Sequence, residues 1–146
     1  MKGNLFKAIK CFVVLVVALA LCGTLLVSTS RTTVFVPGDE GCTPGYWKNH
    51  LGSWPPTGYS PNDNFDTVFG VNYFDPDITL EQALNARGGG LNKLARHGTA
   101  ALLNAAHPGV AYPLSVAEVI TLVRNGLADS LANFNEYGCP LNSDPW

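Results

Sequence analysis

Cys42 and Cys139 bracket nearly everything that can fold in this 146-residue chain. Of its four cysteines, Cys11 and Cys22 fall in an apolar leader, so these two are the pair left for the rest of the chain and their pairing is forced. A bridge between them closes a loop of roughly 100 residues, which in the chain-entropy picture contributes on the order of 4 to 5 kcal/mol. That is a large share of a small domain's stability. Such a bond persists outside the cytoplasm. The competing reading, a reactive Cys42 near His50, would leave Cys139 idle in an oxidising place. The bracket predicts a single disulfide-closed domain over 42–142, with 31–41 as a linker and 143–146 as a tail.

The start of the chain agrees with export. Lys2, Lys7 and Lys10 precede an uncharged apolar run from Cys11 to Val27, followed by small residues at Ser28 and Ser30. Residues 1–30 therefore read as a signal peptide cleaved near Ser30. At about 17 residues the run is also at the short edge of what spans a bilayer, so an uncleaved N-terminal membrane anchor is the alternative. Basic residues before the run and only Arg31 just after it place the domain outside in either case. A lipoprotein box at Leu19-Ala20-Leu21-Cys22 is weakened by leucine where a small residue is wanted, and a pilin-type leader at Lys2-Gly3 is weaker than plain secretion. Beyond the leader the basic residues are Arg31, Lys48, Arg87, Lys93, Arg96 and Arg124, against all eleven acidic ones. Nucleic acid, which needs clustered cations, is not an expected partner.

The fold is expected to be mainly α, with about four helices covered by an aromatic, Pro- and Gly-rich N-terminal loop region. From Arg31 to about Pro76 no helical or alternating period persists. Thr43-Pro44-Gly45 and Trp54-Pro55-Pro56-Thr57-Gly58 read as turns, and Asn64 to Gly70 as one helical turn stopped by its glycine. Thr79-Leu80-Glu81-Gln82 then opens a helix with a capping box, stopped near Arg87 by Gly88-Gly89-Gly90. A second helix runs from Leu91 to about His107, with an apolar stripe so wide that it is expected at the centre. Ser115-Val116-Ala117-Glu118 is another capping box, opening a third helix. Asp129 is expected to cap a fourth, ended by Gly138.

The opening Gly41-Cys42-Thr43-Pro44-Gly45-Tyr46-Trp47-Lys48-Asn49-His50 resembles a group of exported bacterial and archaeal modules that share a Cys-Thr-Pro-Gly-aromatic-Trp-Lys-Asn-His motif. Later blocks, among them Ala95-Arg96-His97, Ala100-Ala101-Leu102-Leu103-Asn104-Ala105-Ala106 and Gly138-Cys139-Pro140-Leu141, are similar to the same group. The resemblance implies one folded unit in a surface or secreted setting. It brings no activity and no catalytic residue.

Chemistry is sparse. His50, His97 and His107 suggest zinc, but on a continuous helix His97 and His107 stand about 15 Å apart on faces about 80° apart. His50, His97 and Asp63 or Asp66 remain as a metal-dependent or acid/base hydrolase set. The competing structural reading has Arg96 and His97 bonded to covering loops. Asp75-Pro76-Asp77-Ile78-Thr79 spaces oxygens as a calcium loop does, yet Leu80 and Ala86 stand where Gly and Glu are required. Aromatic Tyr46, Trp54 and Tyr59 are candidate surface contacts for sugar or protein, with Trp47 assigned to the core. Lys48, Asn49, His50, Arg96 and His97 form a candidate polar cluster.

The resulting expectation is an exported, non-catalytic structural, adhesive or assembly module at the cell surface or in extracellular material. Its partners would be extracellular polysaccharide, surface proteins or its own copies, with membrane contact through the N-terminal segment alone. No cofactor or metal is implied. A small hydrolase and a carbohydrate-binding module using Trp54 and Tyr59 are the alternatives.

Overall fold

The computed structural model describes residues 38–143; the leader with its expected cleavage near Ser30, positions 31–37 of the linker and positions 144–146 of the tail lie outside the described residues. The described residues form helices α1 Pro44–Asn49, α2 Phe65–Phe69, α3 Leu80–Asn85, α4 Leu91–Ala106, α5 Val116–Arg124 and α6 Ala128–Phe134, with 3-10 turns at Leu51–Ser53, Pro55–Thr57 and Pro140–Ser143. Among the described residues, extended pairing is limited to two isolated antiparallel bridges, Gly41 with Gly138 and Asn64 with Thr79. The fold is thus mainly helical, and Cys42 and Cys139 are joined across 97 positions of sequence.

Helix α4 lies at the centre. It packs against α1, α3, α5, α6 and the Pro55–Thr57 turn, and its residues Gly98 to Asn104 are all buried. A Cβ on Gly98 would stand 2.7 Å from Val123 Cγ2, so glycine at this position permits the close approach of α5. Around α4 the punctuation reads as the sequence implied. Both capping boxes form, Thr79 with Gln82 and Ser115 with Glu118, and Gly70 ends α2 in the left-handed region. The aromatic half is ordered by burial of Trp47, Trp54, Phe65 and Phe69, with Phe65 against Phe69 at 4.5 Å and edge-on to Phe74 at 5.5 Å.

Four expectations are corrected. Thr43-Pro44-Gly45 opens a helix instead of a turn. Thr43 Oγ1 accepts a hydrogen bond from Tyr46 N at 3.2 Å, and Pro44 takes the first helical turn, where its missing N–H leaves no intrahelical bond unmade. Asp129 is not a cap, because α6 begins after Leu127; Asp129 lies in its first turn and pairs with Lys93. The helix stops at Phe134, and Gly138, at φ 119°, pairs with Gly41 instead of terminating it. Finally, Glu40 and Gly41 belong to the domain and not to a linker. Glu40 N donates to Ala111 O at 3.2 Å and Glu40 Oε2 accepts from Ala111 N at 2.6 Å. Gly41 N donates to Gly138 O at 2.8 Å, and a Cβ on Gly41 would stand 2.2 Å from Phe134 O, a contact only glycine avoids.

One buried amide ties these parts together. Asn104 Oδ1 accepts from Cys42 N at 2.9 Å and from the Trp47 indole at 3.0 Å. Its Nδ2 donates to Cys42 O at 2.9 Å and to Asn135 Oδ1 at 3.0 Å. Both lone pairs and both N–H groups are therefore used. Asn135 extends the network, accepting from Tyr112 Oη at 2.8 Å and donating to His97 O at 2.9 Å. Burial pushes the Tyr112 phenol far above its ordinary pKa, which keeps it a donor.

Asn104→Ala would strand three buried polar groups, Cys42 N, Cys42 O and the Trp47 indole N–H, and is expected to cost at least about 3 kcal/mol, read as a fall in the urea midpoint at unchanged slope. Reduction, or joint Cys42→Ser and Cys139→Ser substitution, is expected to remove about 4 kcal/mol, measured by urea unfolding with and without reductant.

Candidate functional site

The opening decapeptide holds half of the candidate residues, and most of its side chains are engaged in building α1 and the turn after it, with Trp47 tying them to α4. Trp47 is 0% exposed, with its indole on Asn104. Tyr46 is 8% exposed, set edge-on to Trp47 at 5.3 Å and stacked on His50 at 4.2 Å, with its hydroxyl 3.1 Å from Ser53 Oγ. Asn49 Nδ2 donates to Gly45 O at 2.9 Å, and His50 Nδ1 lies 2.8 Å from Tyr46 O. Lys48 is the exception. It is exposed and makes no hydrogen bond or ion pair with any described residue.

Trp54 and Tyr46 are not surface contacts. Trp54 is 1% exposed and donates its indole N–H to Trp47 O at 3.1 Å. Pro55 and Pro56 face solvent, but the 3-10 turn they begin directs the preceding side chain inward, with Thr57 Oγ1 donating back to Trp54 O at 2.7 Å. Tyr59 is half-buried against the core, and burial followed by the nearby Asp63 raises its phenol pKa. A flat aromatic platform for stacking sugars is therefore not formed by these three side chains.

The hydrolase set is not assembled either. His50 rests on Tyr46. His97 lies on α4, where the charges acting on it come from Arg96, Lys93, Glu136 and Asp129, with no contribution from His50, Asp63 or Asp66. Asp66 is buried and fixes a turn, its Oδ2 accepting from Tyr73 N at 2.8 Å and Phe74 N at 3.0 Å. Asp63 Oδ2 accepts from Ser60 N at 2.8 Å. Among the described residues no three His, Cys, Asp or Glu side chains gather as a metal site would require. Nor is any described helix long and apolar enough to cross a membrane.

Two members of the polar cluster do meet. Lys48 at the end of α1 and Arg96 on α4 line one surface pocket of about 390 Å³, together with Asn85, Gly88 and Arg87. Arg96 Nη1 donates to Ala86 O at 2.6 Å and lies 3.5 Å from Gly88 O and Asn92 O, which holds its guanidinium at the pocket wall. Arg96 thus bonds to a covering loop as expected, whereas His97 Nδ1 is buried without a partner. Sequence reasoning missed Arg87, which has no periodicity or motif to mark it. It also missed the structural Asn104 and Asn135. An amide set between Leu103 and Ala105 in an otherwise apolar helix was the available signal for Asn104.

No family model matches the chain, and no curated protein or solved structure matches it significantly.

The environment of His97 has a consequence for stability. Burial first, then Arg96 and Lys93, hold its pKa below the ordinary histidine value, against opposing Glu136 and Asp129. Protonation would also place a charged N–H at the unpartnered Nδ1. The unfolded chain, with histidine near 6.5, takes up the proton first, so this contribution is complete above that pH and is lost as pH falls below it. Burial depresses His107 in the same direction. The urea midpoint is expected to decline between about pH 7.5 and about pH 5, and His97→Gln to flatten that decline; an unchanged slope in the variant would show that His97 is not its source.

Proposed function

We propose that this chain is an exported, non-catalytic module acting by adhesion or assembly at the cell surface or in extracellular material. The observation that carries this reading is the use made of its most distinctive residues. Thr43, Tyr46, Asn49 and Trp54 cap or hydrogen-bond the loop half within itself, Trp47 ties it to Asn104 on α4, and Cys42 is bonded to Cys139. Side chains engaged in this way hold a shape. The disulfide supports an oxidising setting, in keeping with the export signal read in residues 1–30. The separation of His50, His97 and the buried Asp66 speaks for recognition over hydrolysis, since general acid/base work needs such groups within hydrogen-bond reach of one reacting atom.

The test is to present the oxidised full-length chain with extracellular polysaccharides, esters and peptides. Retention of the chain by a surface polymer in affinity electrophoresis, without release of product, is the expected outcome. Product formation that is abolished by His97→Ala at unchanged circular dichroism would replace this reading with a hydrolase.

A further inference from the structure

The described residues contain five basic side chains, and their environments differ sharply. Lys93 pairs with Asp129, and Arg124 donates through Nε to Phe69 O at 2.7 Å. The other three, Lys48, Arg87 and Arg96, line the single pocket between the ends of α1 and α3 and the side of α4, and no acidic residue lines it with them. The side chains of Lys48 and Arg87 make no hydrogen bond or ion pair with any described residue, the Arg87 carbonyl alone accepting from Asn92 Nδ2 at 2.9 Å, while Arg96 is held by backbone carbonyls that leave Nε and Nη2 unengaged. This occurs in a chain whose formal net charge is −2, so uncompensated cations converging at one place run against the overall composition. Lys48 in the last turn of α1 and Arg87 just beyond α3 complement the C-terminal ends of these helices. That complement does not account for Arg96, which comes from the middle of a different helix.

From this juxtaposition we infer that the pocket formed by Lys48, Arg87 and Arg96 is an oxyanion-binding site through which the module grips an acidic polysaccharide. The inference rests on the adhesive reading given above and names its ligand. The shared chemistry is a carboxylate or sulfate ester carried on a sugar. A volume of about 390 Å³ lies within the range of small-ligand sites, roughly 300–1,000 Å³. The guanidinium of Arg96 is already oriented, as bidentate recognition of an oxyanion requires. Asn85, whose Nδ2 is engaged with Glu81 O at 3.0 Å, keeps its Oδ1 as an acceptor for a sugar hydroxyl. Three cations at one pocket, without a track of further Lys or Arg among the described residues, suit an isolated charged sugar better than the continuous phosphates of nucleic acid.

The experiment measures binding of the oxidised full-length chain by calorimetry to polygalacturonate, dextran sulfate, neutral dextran and a short DNA duplex. Binding to one or both acidic polysaccharides is expected, weakening as NaCl rises from about 50 to about 300 mM, and the stronger of the two identifies carboxylate or sulfate ester as the recognised group. Joint Lys48→Ala and Arg87→Ala substitution, at two exposed side chains, is expected to weaken binding at least tenfold. Lys93→Ala removes a positive charge away from the pocket and is expected to change it less than twofold. Equal loss in Lys93→Ala, unaltered binding in the double variant, or tighter binding to DNA than to either polymer would overturn the assignment. Retention by neutral dextran that the double variant preserves would sink the pocket while leaving adhesion standing. Degradation of the polymer would instead sink the adhesive reading itself.

Discussion

The Asn104 amide is the interaction on which the two halves of the domain depend. The loop half pairs much of its backbone within its own short helices and turns, but the N–H and C=O of Cys42 have no such partner and must find one when buried. Asn104 provides it, accepting from Cys42 N and the Trp47 indole while donating to Cys42 O and Asn135 Oδ1. Because all four of its hydrogen-bonding positions are filled, the amide can lie in an apolar helix without the cost of an unsatisfied buried group. The arrangement also fixes where Cys42 sits and hence where its bridge to Cys139 forms. An apolar residue at this position could pack, but it would give the loop half no register.

The same interaction explains which parts of the fold were legible. The helices α3 and α5 announced themselves because their capping boxes are local, each completed within four consecutive residues. The pairing of Cys42 with Cys139 is legible because Cys11 and Cys22 fall in the apolar run near the start of the sequence. Helix α1 was hidden because Pro and Gly beside each other read as a turn, although Thr43 before Pro44 is equally a helix start. The proline neighbours of Trp54 suggest an outward side chain, yet its partner is the carbonyl of Trp47, seven residues earlier, which no local pattern specifies. At the candidate site, Lys48 and Arg96 were singled out from separate motifs, but their convergence with Arg87 depends on how α1, α3 and α4 cross. Such relations between distant segments are set by packing and leave no spacing in the sequence.

The polar and apolar surfaces divide in a way that follows from this packing. The central helix fully buries Gly98 to Asn104, while Lys93, Arg96 and His97 in its first half are only partly buried. Lys93 meets Asp129 and His97 lies against the α6 side, whereas Arg96 turns to the loop after α3. Three neighbouring polar residues on one helix thereby enter different environments. Only one of them reaches a concave surface rich in positive charge.

The bridge between Gly41 and Gly138, with Cys42 and Cys139 immediately inside it, brings the entry and exit of the domain to one place. A pull applied between the flanking chains would therefore travel through the sulfur–sulfur bond and bypass every helix. The residues between the cysteines would hang as a closed lobe beside the line of tension. Such a module would keep its shape under mechanical load and add almost no extensibility to whatever strand carries it.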